Sequence, residues 1–314
     1  MLPKQEKQLQ TKKRRKISSR EWQWIEMSIF PVVYTFIFCY CTLYGLLIAF
    51  KDYKYSLGIW GSKWVGFDNF KFFVLSNDCL RLVKNTLSLN AMFIVTAMAC
   101  QIALAIVFYE LSSRKALKIY QTILITPNFI SWVVIGYVVY AFLQPQYGLV
   151  NNLLEKIGIP GIQFYNEPKV WPGILNFAQV WKGVGMGCII YYATLMGIDK
   201  TLFEAAQIDG ATKWQEIRYV MLPMLSRVIV LGLISAIGGI FNSDFGLFYQ
   251  LTRDSGSLYS TTDVIDTYLY RTMRVIGDMK LSSAIGLLKA VVGFVLVFIT
   301  NGIIKKIDDE LSLF

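Results

Sequence analysis

Six long apolar runs constrain this chain more than any other feature of its sequence. They cover about Ser28–Phe50, Thr86–Tyr109, Ile119–Leu143, Pro172–Gly197, Leu225–Tyr249 and Leu281–Ile304. A helix crossing a hydrocarbon core about 30 Å thick needs roughly 20 apolar residues, at about 1.5 Å of rise each. Each run reaches that length. The chain is 55% hydrophobic and only 17% charged, where soluble domains carry roughly 25% charged residues. The expectation is an all-α integral membrane protein with six transmembrane helices. Pro31 and Pro127 fall near the starts of their runs, where a missing N–H costs least.

Lysine and arginine give the orientation. Eight basic residues precede residue 21, ahead of the first run, and read as an anchor beside anionic lipid rather than a nucleic-acid surface. The run that follows is long and has no A-x-A-like site after it, so it reads as an uncleaved first span. With that tail inside, the inner segments hold 17 basic residues, counting Arg227, and the outer loops 12. The positive-inside rule then places both termini in the cytoplasm. The plan is a basic tail over 1–27, a six-span domain over 28–304 with a cytoplasmic loop at about 198–224, and a C-terminal tail over 305–314. Trp22, Trp24, Trp60, Trp64 and Trp171 are placed near the membrane interfaces.

Several chemistries are excluded. The chain has no histidine, so the commonest general base and metal ligand is missing. Its five cysteines form no zinc-type pair or disulfide framework. No G-x-x-x-x-G-K-[ST] loop occurs. Asp244-Phe245-Gly246 spells a kinase triplet, but beside an apolar run and without the catalytic loop that would accompany it.

The segment Thr201–Pro223 interrupts the apolar pattern. Thr201 is expected to cap a helix, with Glu204 at capping-box spacing. Ala205 and Ala206 favour helix, and Gly210 ends it. Trp214, Ile217 and Val220 then fall on one face of a second short helix, and Pro223 opens the fifth span. Such an element suits either a surface gripped by a partner or a simple interfacial connection between spans.

These residues carry a family resemblance. Glu204-Ala205-Ala206, Ile208-Asp209-Gly210-Ala211 and Leu222-Pro223 resemble the signature of membrane subunits of ABC importers. Phe50-Lys51-Asp52-Tyr53, Trp64-Val65-Gly66 and Gly197-Ile198-Asp199 resemble the carbohydrate-permease branch, especially subunits for complex oligosaccharides. The resemblance implies the type I importer permease fold in a bacterial plasma membrane. It implies a coupling helix, with Glu204, Ala205, Ala206, Asp209, Gly210, Leu222 and Pro223 as the residues meeting a partner ATPase dimer. That ATPase would use ATP and Mg, and this chain itself would bind no cofactor and catalyse nothing. The other implied partners are a second, different permease subunit and a lipid-anchored external solute-binding protein that delivers the oligosaccharide. That protein would dock on Lys51–Lys84 and Leu251–Lys280, the latter otherwise read as a solvated loop.

Polar groups at membrane depth mark the transport path, because a central lysine costs about 2.5–3.5 kcal/mol on insertion scales. Span four carries Gln179, Trp181, Lys182 and Gly183, and span five carries Phe241, Asn242, Ser243 and Asp244. Aromatic faces and amides together suit a sugar. Plain packing also fits: Gly183-x-x-x-Gly187 is a helix-contact spacing, and Lys182 can snorkel or pair with Asp244. An ion-coupled secondary transporter of sugars is the alternative function, with Asp244 as its one candidate relay acid.

Overall fold

A computed structural model describes residues 19–307. The basic tail up to residue 18 and the residues from 308 onward lie outside the described residues. The described chain is almost entirely helical, with one two-stranded ribbon. It divides into two compact units, one ending at Leu47 and the other beginning at Ile48.

The first unit holds helix α1 (Ser19–Thr35), which passes through a π turn at Phe36–Tyr40 into a 3-10 stretch, Cys41–Phe50, whose last three residues belong to the second unit. The helix begins at Ser19, so Pro31 lies in its interior rather than at its start. A proline there leaves the carbonyl four residues earlier, that of Met27, without its helical donor. Trp22, Trp24, Phe30 and Val32 are exposed, as an apolar helix with lipid or another protein around it would be.

The second unit is the bundle. Its ribbon pairs β1 (Lys51–Asp52) antiparallel with β2 (Lys63–Trp64). Phe50 stacks flat on Trp64 with centroids 5.6 Å apart, and Asp52 accepts from Lys280 at 2.6 Å. That lysine holds the Asp52 carboxyl below the usual carboxylate range. The helices that build its core and sites are α2 (Asn77–Glu110), α3 (Arg114–Ile125), α4 (Trp132–Leu143), α5 (Trp171–Met196), α6 (Lys200–Ile208), α7 (Leu222–Gly238), α8 (Phe245–Thr252), α9 (Ile265–Arg271) and α10 (Met279–Ile307). Helices α2 and α5 pack most extensively. One core cluster joins Leu89, Trp171, Leu175 and Phe248, and a second joins Phe108, Tyr191, Phe203, Met221 and Leu225. Trp171 is fully buried and donates to the Phe164 carbonyl at 2.7 Å. It is a core residue and not part of an interfacial belt.

Among the described residues, four helical stretches are long and apolar enough to cross a membrane: Trp22–Phe50, Asn77–Glu110, Lys213–Gly238 and Met279–Lys306. The pair Arg114–Phe129 and Trp132–Leu143 makes a fifth if taken as one span, although it bends by 95°. Helix α5 has 26 residues, about 39 Å of rise. Its Asn176, Gln179 and Lys182 make it less apolar than the other four.

Two expected spans are therefore broken. Pro127 stands at the bend of the third, inside a 3-10 turn at Thr126–Phe129, rather than at its start. It supplies no N–H and restricts the residue before it. The fifth expected span ends at Gly238, and α8 starts afresh at Phe245 with Asp244 as its N-cap. The segment Leu251–Lys280 is not a solvated loop. It carries three further helices or turns and buries Leu258, Val264, Ile265 and Thr272. Buried Asp263 accepts from Arg271 at 2.6 Å, and Arg271 also meets Asp254 at 2.8 Å. Burial pushes the neighbouring Tyr259 phenol up to about 12, with its bond to Asp254 adding to the rise.

Candidate functional site

The two breaks lie at one place in the bundle, and side chains from three helices, α2, α5 and α9, satisfy the backbone they open. Lys182 of α5 donates to the carbonyls of Asn128 at 2.8 Å and Ile130 at 2.6 Å, and reaches that of Pro127 at 3.4 Å. It also lies 5.3 Å from the centre of the Trp132 ring. Its ammonium thus does what the missing helical N–H groups would have done. It does not pair with Asp244. That carboxylate accepts from the Trp132 indole N–H at 2.6 Å and from the Leu247 amide at 3.3 Å. Trp132 therefore ties the first break to the second. Asn90 of α2 donates to the Ile240 carbonyl at 2.7 Å and to Ser243 at 3.0 Å. The Ser243 amide donates to Asp266 at 2.7 Å, and Asp266 is paired in turn with Lys289 of α10.

Beside the breaks lies a cavity of about 740 Å³ between α2, α5 and α7. Gln179, Asn242 and Asp244 line it. Trp181, Lys182, Gly183 and Phe241 do not. Phe241 is buried in a third core cluster with Leu82 and Ile285. Trp181 is exposed, and a Cβ at Gly183 would meet open space. The glycines that permit close contact are Gly185 and Gly187: a Cβ on Gly185 would sit 1.9 Å from the Leu124 carbonyl oxygen, and one on Gly187 2.2 Å from the Gln101 amide. The packing contact of α5 is thus shifted from the expected Gly183–Gly187 pair.

Three polar lining residues are not among those singled out from spans four and five: Asn90, Gln101 and Tyr191. The signal for the two amides was present. Both interrupt the second apolar run, spaced about three turns apart and so on one helix face. Four amides (Asn90, Gln101, Gln179 and Asn242), Asp244, and the rings of Phe93 and Tyr191 face the cavity. Such a lining can bond hydroxyls while packing against apolar ring faces.

The other site is α6. Its N-cap is Asp199, whose carboxylate accepts from the Thr201 amide at 3.0 Å. Thr201 is not the cap, because the helix starts at Lys200. The same bond lowers the Asp199 carboxyl below its ordinary value of 3.8. At the far end Gly210 has φ +77°. Its amide donates to Gln207 and that of Ala211 to Ala206, the paired bonds of a Schellman ending that demands a left-handed residue. Phe203 is the one buried residue of α6 and rests 5.5 Å from the Tyr109 ring. Glu204, Ala205 and Asp209 are exposed, and Ile208 is 86% exposed. The next helix starts at Lys213 with a Thr212–Gln215 capping box and runs on through a π turn, Ile217–Met221, into α7. Pro223 therefore sits within a continuous helix instead of opening one. It has no N–H for the Tyr219 carbonyl, and the backbone widens beside it. Ile217 and Val220 pack inward, but Trp214 is 68% exposed. Leu222 and Pro223 are also exposed, next to buried Met221.

Residues 92–312 match the family described as binding-protein-dependent transport system inner membrane component. The chain belongs to that family. It is accordingly a multi-pass membrane permease. Among relatives, it is 34% identical to Protein LplB of Bacillus subtilis (strain 168), over 92% of this chain and 90% of that one. It is 32% identical to the polygalacturonan/rhamnogalacturonan transport system permease protein YteP of the same organism, over 95% and 93%. Its fold is similar to that of a chain in a bacterial ABC transporter that imports the acidic polysaccharide alginate, with TM-score 0.84 and 33% identity, over 92% of this chain and 97% of that one. It is also similar to a chain of a bacterial alginate ABC transporter in complex with an alginate pentasaccharide-bound periplasmic protein, with TM-score 0.83 and 33% identity.

Proposed function

We propose that this permease is one membrane half of an ATP-driven importer of oligosaccharides. An external solute-binding protein delivers the sugar, and a separate ATPase dimer using ATP and Mg supplies the energy. The observation that carries the reading is α6. It is a rigidly capped helix, anchored by Phe203 and otherwise exposed, in a chain otherwise dominated by apolar helices. Glu204, Ala205, Ala206, Asp209 and Gly210 form its contact face, with Leu222-Pro223 at the adjoining helix. A groove on the ATPase grips this face, and closure of the ATPase dimer pulls on α7 through the Lys213–Met221 helix. In this arrangement α5 is the fourth span and brings the number of spans to six, both termini and α6 lie in the cytoplasm, and the partner permease is a different chain. Family membership, the relatives' stated roles in saccharide transport and the amide-and-ring cavity all support a saccharide cargo.

Exchanging Glu204 for Lys, or Gly210 for Val, is expected to leave the membrane domain folded while abolishing ATP-dependent uptake. The assay is sugar uptake by proteoliposomes holding the full complex, alongside its ATPase rate. Normal uptake in both variants would remove the coupling role from α6.

A further inference from the structure

A second cleft, of about 190 Å³, lies between α4 and α8, apart from the large cavity. The two helices touch at Gly136, where a Cβ would come within 2.8 Å of the Gln250 carbonyl. Beside that contact the cleft is lined by Tyr137, Tyr249, Gln250 and Arg253. Arg253 follows the last residue of α8 and has φ 55°, with Asp254 at φ 48°. Two successive residues other than glycine in the left-handed region are uncommon, and such conformations concentrate at functional sites. The guanidinium lies 4.1 Å from the centre of the Tyr140 ring and 5.9 Å from that of Tyr137. It makes no ion pair or hydrogen bond with any described residue. Neighbouring Asp254 is already engaged by Arg271 and by the Tyr259 hydroxyl. The two cations beside the broken spans are engaged too, Lys182 by carbonyls and Lys289 by Asp266.

We infer that this cleft is a subsite for a carboxylate-bearing sugar ring, a uronate unit of the transported oligosaccharide. A guanidinium stacked on an aromatic face keeps its N–H edge free, and that edge matches a carboxylate in bidentate fashion. Tyr137 and Tyr249 offer ring faces, and the Gln250 amide can bond hydroxyls. The inference rests on the oligosaccharide reading above and narrows it to acidic cargo.

Uptake of trigalacturonate and of its carboxyl-reduced neutral counterpart is compared in proteoliposomes holding the full complex with its solute-binding protein. Arg253→Gln is expected to raise half-saturation for the acidic trimer about tenfold, the loss of one charge-assisted contact, and to leave the neutral trimer unchanged. Arg253→Lys should fall between. An equal effect on both trimers, as a contact with the solute-binding protein would give, or no effect on either, overturns the subsite. A second measurement needs no transport. In the complex held in nanodiscs, galacturonate should slow modification of Arg253 by an arginine-directed dicarbonyl, and galactose should not. Equal rates with both sugars refute the subsite even if the import reading itself has failed.

Discussion

Lys182 shows how one side chain can change meaning between sequence and structure. As a lysine in an apolar run it invites a role in binding acidic cargo or in pairing with Asp244. In the fold it holds three carbonyls freed by the bend at Pro127. Lys182→Met is expected to lower stability by about 2 kcal/mol, since half-buried acceptors then lose a charged donor. Thermal unfolding of the solubilised protein would measure it, and an unchanged midpoint would refute the capping role. Glycine contacts give a sharper contrast on the same helix. Gly185→Ala places a methyl into the Leu124 carbonyl and should cost about 2–3 kcal/mol or prevent assembly. Gly183→Ala meets nothing within 4 Å and should be tolerated. The GxxxG spacing pointed to the right helix, but which glycine faces a neighbour depends on helix rotation, and spacing alone does not set that.

Among the elements, α6 was the most legible. Its alanines, its glycine stop and its exposed acid follow from local chemistry that acts within a few residues. Only its cap was misplaced, by two positions, because Asp199 and Thr201 are both good caps. The Asp199 carboxyl is lowered in the folded state. Its stabilisation of α6 is therefore fully present above the unfolded value near 3.8 and is lost as pH falls through the lower folded value. Amide exchange in Thr201–Ala205 should quicken selectively in that acid range, and Asp199→Ala should show the faster rate at every pH. Exchange that ignores both changes would dismiss the cap. The broken spans were less legible. An apolar run reports that a segment can lie in lipid; it does not report whether the helix continues through Gly238-Gly239 or bends at Pro127, because packed neighbours can satisfy the freed backbone.

At the level of the whole bundle, the pair Lys289–Asp266 joins α10, α9 and the second break. Both side chains are mostly buried, at 14% and 19% exposure. Breaking such a pair from one side costs about 3 kcal/mol or more, and removing both charges costs less. Lys289→Met and Asp266→Asn should each lower the denaturation midpoint, and the double variant should recover part of the loss. Strictly additive losses would show that the two side chains do not act as a pair.

The sequence by itself determined the solvent, the helical class and the family, since apolar length, missing histidine and the Glu204–Pro223 pattern are local properties. It also singled out Gln179, Asn242 and Asp244, because amides and acids are rare at membrane depth without a purpose. Only the tertiary structure decided that Lys182 and Trp132 serve the breaks, that Phe241 is core, and that Asn90 and Gln101 complete the lining. Those assignments depend on which faces of separate helices meet. Residues far apart in the chain set that rotation together, so no single run contains it.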